Sequence, residues 1–303
     1  MAIMSGPQSP DNPIIFDRDL LRRRRRRAQA LGPATFLLDR VAEDLADRLG
    51  VVLRRFEVAV DLGSPGETVR TALSRLESIG TVIAADAAAR AWPAISADEE
   101  ILPFADNALD LIVSALALHH VNDLPGALIQ IRRALKPDGL FVAALLGGET
   151  LTELRRAFAA AEAEIDGGAS PRVAPFADLR ELGALLQRAG FTLPVTDIDR
   201  VCVRYGSAFE LMHDLRRMGA TNALHARRRT PLKRATLLRM AEIYAQDFAD
   251  PDGRVRATFE IVWLSGWSPH PSQQKPLRPG SAQARLADAL GTREISAGDE
   301  AGG

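Results

Sequence analysis

The sequence predicts an α/β domain whose mostly parallel sheet is doubly wound, with helices on both faces. Three observations support this. From Glu57 onward, short apolar runs alternate with amphipathic stretches. The apolar runs are nearly continuous, which marks strands covered on both faces. The amphipathic stretches repeat a helix-then-glycine design, and helices joining parallel strands cross over with a right hand.

Taken in order, "FDRDLLRRRRRRAQALGPATFLLDRVAEDLADRLG" is helical, with Phe36, Leu37, Val41, Leu45 and Leu49 on one stripe. Six consecutive arginines, Arg22 to Arg27, precede that stripe. They form either a solvated helix flank or a cationic arm that meets an acidic partner or covers a ligand carboxylate. "EVAVDLG" is a strand, "ETVRTALSRLES" a helix and "GTVIAAD" a second strand. After the loop "ISADEEILPFADNA" comes the buried strand "LDLIVSALAL". "LPGALIQIRRALKPDG" reads as a helix stopped by Pro-Asp-Gly, and "LFVAALLG" as a further strand. "FADLRELGALLQRAG" then leads into "FTLPVTDID".

Past Tyr205 the rhythm breaks. Residues 204–239 hold nine Lys/Arg against two acids, a basic helical insert with a solvated face or a face for an acidic protein. "ATFEIVWLSGWSP" returns to strand character, with Trp263 and Trp267 in core and rim packing. The expected organisation is a disordered N-terminus over 1–15, a helical arm over 16–56 and a core over 57–205. The insert follows over 206–256, then the last strand with a C-terminal segment over 257–290, and a disordered tail over 291–303.

Composition excludes several classes. The chain has 303 residues and is 47% hydrophobic, enough for a substantial core. Lys+Arg and Asp+Glu balance at 38 and 39 and aromatics stand at 5%, so nothing points to nucleic acid. The single cysteine, Cys202, excludes an internal disulfide or a cysteine metal cluster and fits a reducing compartment. No apolar run approaches a membrane span, and the first residues lack a targeting pattern. A cytoplasmic location is expected.

In a doubly wound sheet, ligands bind outside the carboxyl ends of the strands. Asp61, Gly63 and Gly66 follow the first strand. Asp86 follows the second, placed to accept hydrogen bonds from a ribose. Asp98 and Glu99 come next, able to pair with an adenine amino group. His119 and His120 follow the fourth strand. One of them faces the site, as a general base or, as a packing residue, as part of its wall. A metal site is not expected, because adjacent histidines at a strand end diverge and "HHVND" has no His-x-Asp/Glu spacing. Glu149, after the fifth strand, is either a substrate-facing carboxylate able to receive a guanidinium or a neighbour of Thr150 acting as helix cap.

This order of loops, with "LPFADNALDLIV" and "ALKPDGLFVAALLGGE", resembles the Rossmann-like class I methyltransferase fold, which binds S-adenosylmethionine. Within it, "GGETLTELR", "SPRVAPFADLR" and "MGATNAL" make the chain similar to the mitochondrial complex I assembly factor 5 family and its bacterial relatives. The resemblance spans roughly residues 16–290. It implies a protein that hydroxylates an arginine of a complex I subunit during assembly, with Asp61, Gly63, Asp86, Asp98 and Glu99 around the nucleoside. It assigns no hydroxylation catalyst. One departure stands out: the family's Asp-Leu-Gly-Cys-Gly-x-Gly is here Asp61-Leu62-Gly63-Ser64-Pro65-Gly66-Glu67. Pro65 removes an N–H donor, and Glu67 brings a charge that either pairs with the ammonium of S-adenosylmethionine or repels its carboxylate. Gly66, one position out of register, keeps the turn open. Two other functions compete: an ordinary methyltransferase of a small molecule or carrier-protein thioester, like the malonyl-carrier-protein enzyme, and a non-enzymatic assembly factor with a decayed site.

Overall fold

The computed structural model describes residues 14–87 and 93–274, together with Asp288, Gly291 and Thr292. The terminal segments expected to be disordered lie mostly outside these. Ile14 and Ile15 are described, and the backbone of Ile15 is held by the Asn122 side chain and by the N–H of His225. The described residues from His270 onward belong to a separate small unit, in which His270 Nδ1 lies 2.6 Å from the Ser272 hydroxyl.

Seven strands make one sheet: β1 (Phe56–Leu62), β2 (Ile79–Ala85), β3 (Ala94–Ile95), β4 (Leu109–Ala115), β5 (Leu135–Leu146), β6 (Thr192–Tyr205) and β7 (Val255–Trp267). Their order is β3-β2-β1-β4-β5-β7-β6, with β7 antiparallel to both neighbours. The chain order reverses direction between β1 and β4, so the carboxyl ends of these strands border the crevice that such sheets use for ligands. Leu111, Val113, Ala59 and Phe259 pack on one face of the sheet, and Val60, Ile112, Phe141 and Val262 on the other. Burial on both faces is why these strands read as continuous apolar runs.

The arm comprises α1 (Arg18–Ala30) and α2 (Phe36–Gly50). Asp17 caps α1 by accepting from the N–H of Leu20 at 3.0 Å. The expected stripe of α2 is buried at Leu37, Val41, Leu45 and Leu49, joined by Leu38 and Ala42, whereas Phe36 is 37% exposed at the first turn. Two other expectations shift. α3 (Thr68–Leu73) is only half the predicted helix. α4 (Leu124–Ala134) ends before Pro-Asp-Gly, because Leu135 pairs with Leu109 and draws 135–139 into β5. There Asp138, at φ 65°, donates its N–H to Ser268. After α5 (Thr152–Asp166) and α6 (Leu179–Arg188), the insert supplies α7 (Ala208–Arg217) and α8 (Arg234–Phe248).

Most cations of residues 204–239 are exposed, and several of them also form ion pairs. Arg227 pairs with Asp17 at 3.1 Å, Lys233 with Asp166 at 2.7 Å and Arg239 with Glu164 at 2.6 Å, which fastens the insert to α1 and α5. Trp263 is buried with the Arg48 guanidinium 4.4 Å over its ring, and Trp267 sits at the sheet margin. Cys202 is an exposed thiol on β6.

Candidate nucleoside site

A cavity of about 900 Å³ opens at the carboxyl ends of β1, β2 and β4. Its polar side carries the loop Pro65–Thr68, Asp86, Glu99, His119 and His120, and its apolar side includes Leu37, Leu154, Phe158, Phe176, Met212 and Phe259. Helix α1 lies across it, lining it with Arg18, Arg22 and Arg25.

The opening loop is built as a turn. Gly63 has φ +71° and Gly66 φ +72°, conformations that side chains disfavour. A Cβ on Gly63 would lie 2.7 Å from Glu99 Oε1, whereas one on Gly66 would meet open space. Only Gly63 is therefore required twice, by backbone and by neighbour. Pro65 and Glu67 both line the cavity, and the Glu67 side chain is 72% exposed at its rim, 2.6 Å from Arg70. The loop's departures thus leave the cavity open.

Asp61 lies buried beneath that loop, and its Oδ1 has no hydrogen-bond partner. Burial pushes its carboxyl up to about 7, against a hydrogen bond from Ser64 and the charge of Arg70, while Asp86 adds to the rise. Asp86 lines the cavity, as its expected ribose role requires. Asp98 and Glu99 depart from expectation. Rather than standing ready for a purine amino group, they are clasped by the arm: Arg18 bonds both of them and Glu100, and Arg22 reaches Asp98 at 2.6 Å. Desolvation raises the Asp98 carboxyl, but Arg18, the N–H of Glu100 and Arg22 hold it below the usual range.

The histidines do not diverge. They sit on a 3-10 turn, Leu118–His120, with ring centroids 4.1 Å apart, between Phe16 on one side and Phe176 on the other. His119 Nδ1 accepts the N–H of Leu146 at 3.4 Å. Burial, then the charge of Arg25, pushes His119 down to about 3, and His120 falls well below its ordinary value for the same leading reason. Both rings are neutral walls at physiological pH, so His119 is a poor general base. Asp123 caps α4 instead of joining them. Among the described residues, no group of three His, Cys, Asp or Glu is placed to hold a metal ion.

Glu149 is corrected on both alternatives. It is exposed and lies outside the cavity lining. Thr150 does not cap α5; fully buried, it exchanges hydrogen bonds with Glu260 on β7, and Leu151 at φ 54° takes the position before the helix.

What the sequence reading missed is the division of labour in the arginine run. Arg22 and Arg25 of the run share one helical face with Arg18, ahead of it, and turn inward, while Arg23 and Arg27 are exposed and Arg26, also exposed, lies at the cavity's rim. The 3.6-residue period, applied to charge instead of hydrophobicity, contains that signal. Arg172 was also missed. It lines the cavity and donates from Nε to the fully buried Glu162 at 2.9 Å.

The residues fit an S-adenosylmethionine-like nucleoside at one end. The glycine turn, the orphaned Asp61 oxygen and Asp86 make a cradle, and the volume lies within the range of small-molecule sites.

Comparison with known proteins identifies the domain and the family. Residues 60–143 match the model of a methyltransferase domain. The chain is 42% identical to "Arginine-hydroxylase NDUFAF5, mitochondrial" of Homo sapiens over 296 residues, covering 93% of this chain and 85% of that one. It is 38% identical to a malonyl-[acyl-carrier protein] O-methyltransferase of Laribacter hongkongensis, over 63% of this chain and 62% of that one. The crystal structure of the YcgJ protein from Bacillus subtilis superposes with a TM-score of 0.51 at 15% identity, covering 76% of this chain and 98% of that one, which shows the fold. The expected cytoplasmic location is corrected by these relatives: the arginine-hydroxylases that match most of the chain are named as mitochondrial. Physically the expectation was underdetermined, since a lone free thiol suits any reducing compartment. On identity across nearly its whole length, the chain belongs to the arginine-hydroxylase NDUFAF5 family.

Proposed function

We propose that the protein acts on an arginine of a protein substrate, in a hydroxylase-type reaction during respiratory complex I assembly, with S-adenosylmethionine in the cavity. The observation that carries this is the 42% identity over 93% of the chain, a span that includes the arm and the insert that wall the cavity. Gly63 and Gly66 would let backbone approach the ligand, Asp61 would accept from its ammonium, and Asp86 from its ribose. When bound, S-adenosylmethionine supplies a sulfonium with an electrophilic methyl group. The chain's own residues bind, orient and exclude water. Asp39 and Glu43, one turn apart on α2, give the cavity an acidic edge for a guanidinium. Hydroxylation turns a C–H bond into C–OH, so an oxygen donor with its reducing partner must act alongside these residues.

The test is mass spectrometry of the matching complex I subunit after incubation with the protein, S-adenosylmethionine and cell extract. A gain of one oxygen on a single arginine is expected. An unmodified subunit, with labelled methyl groups appearing on a carrier-protein thioester, would instead favour the malonyl-carrier-protein type of reaction that the 38% relative motivates. A decayed site has less support, because Glu67 faces solvent and does not fill the cavity.

A further inference from the structure

Among Arg18, Arg22 and Arg25, Arg25 is the one without a close partner. Arg18 and Arg22 are consumed by the clasp. Arg25 has its side chain only 20% exposed, yet its nearest carboxylate oxygen, Glu99 Oε1, is 3.7 Å away, beyond a good hydrogen bond. The other oxygen of Glu99 already belongs to Arg18. Desolvation opposes the charge on Arg25, partly offset by Glu99 and Asp86. A buried guanidinium left this way is costly unless something else completes it.

Its position is fixed. The backbone of Arg25 packs against Gly219, where an added Cβ would lie 3.0 Å from the Arg25 Cα, so any larger residue would push α1 away. Its location is also informative. Glu99 Oε1, the atom nearest Arg25, is the same atom that abuts Gly63. Arg25 therefore stands near the glycine turn, two residues before which lies the buried Asp61 with its orphaned oxygen. A buried cation and a buried carboxylate flanking one glycine suit a group that carries both an ammonium and a carboxylate.

We infer that Arg25 is a specificity-determining residue that binds a ligand carboxylate beside Gly63. This rests on the cavity being a nucleoside site. The carboxylate comes either from the amino-acid tail of the nucleoside or from an acidic residue next to the target arginine in the protein substrate.

The experiment is calorimetric titration of the full chain and of Arg25→Gln and Arg25→Lys, each checked for an unchanged thermal melt. The first arm compares S-adenosylmethionine with its decarboxylated analogue. If the tail is the source, the wild type prefers the carboxylated form by about tenfold or more, as expected for a charged hydrogen bond. Arg25→Gln erases that preference while binding the analogue as before, and Arg25→Lys restores part of it. The second arm, with the nucleoside saturating, compares acetyl-Glu-Arg-amide with acetyl-Gln-Arg-amide and assigns the carboxylate to the substrate if only this pair is discriminated. Equal binding within both pairs overturns the inference while leaving the nucleoside site intact. Failure of either nucleoside to bind removes the site itself, and the inference with it.

Discussion

Replacing Arg18 by Met removes one guanidinium from three carboxylates. Arg18 is 12% exposed, and the side chains of Asp98, Glu99 and Glu100 are 13%, 7% and 17% exposed. Water therefore screens little of the interaction, and the substitution leaves like charges facing one another across a half-dry pocket. Breaking a buried pair by deleting one partner costs about 3–5 kcal/mol. Because the clasp ties α1 to the loop that carries Asp98, Glu99 and Glu100, the loss appears first as local opening of α1. Amide exchange in the helix Arg18–Ala30 should accelerate by a factor of at least about 100, the equivalent of the lower bound. The effect has a definite pH dependence. Asp98 titrates below its usual range when folded, so its contribution is complete above the ordinary carboxylate value and is lost as pH falls through the folded value. In the variant that depression is weakened, since only Arg22 and the N–H of Glu100 remain to lower Asp98. The gap between variant and wild type should therefore be widest near neutrality and close as the solution is acidified toward the carboxylate range. An acceleration below about tenfold, or a gap that does not change with pH, would refute the idea that the clasp is electrostatic.

Other substitutions test neighbouring parts. Gly63→Ala should abolish nucleoside binding and destabilise the protein by about 1–3 kcal/mol in urea melts, whereas Gly66→Ala, with open space around it, should cost only the backbone strain of about 1 kcal/mol. Glu67→Gly should change S-adenosylmethionine affinity by less than about threefold, since that carboxylate points to solvent; a large gain would show that the native loop obstructs the site. Glu162→Gln should lower stability by about 3 kcal/mol and loosen the segment around Arg172, because Glu162 is fully buried and holds both Arg172 and the N–H of Ser170. His119, at about 3 when folded, should show a flat NMR titration from pH 5 to 9. The unfolded chain binds the extra proton, so His119 makes stability rise with pH up to its ordinary value near 6.5 and stay level above it. Replacing it by Gln should reduce that acid sensitivity.

Much of the fold was legible because parallel strands buried on both faces leave an unmistakable trace. "LDLIVSAL" and "LFVAALL" lie where expected as β4 and β5. Boundaries were lost where tertiary pairing overrode local stop signals, as at Pro137-Asp138-Gly139, which β4 and Ser268 draw into the sheet. At the site, Asp61, Gly63, Gly66 and Asp86 could be placed from strand tips alone. The partners of Asp98 and Glu99 could not, since they arrive from a helix 80 residues away, and a run of identical arginines hides that Arg22 and Arg25 turn inward. The histidine pair was misjudged for a local reason: the chain leaves β4 through Leu116 at φ 52° and tightens into a 3-10 turn, which brings the two rings together.

The account depends on one volume, the space bounded by the Gly63–Gly66 turn, Asp86 and helix α1. Soaking or co-crystallising the full chain with S-adenosylhomocysteine tests it most directly. Density for the nucleoside is expected against that turn, with its ribose at Asp86 and the clasp at Asp98 either retained beside the purine or displaced by it. A ligand bound elsewhere, or none in that space at saturating concentration, would contradict the assignment.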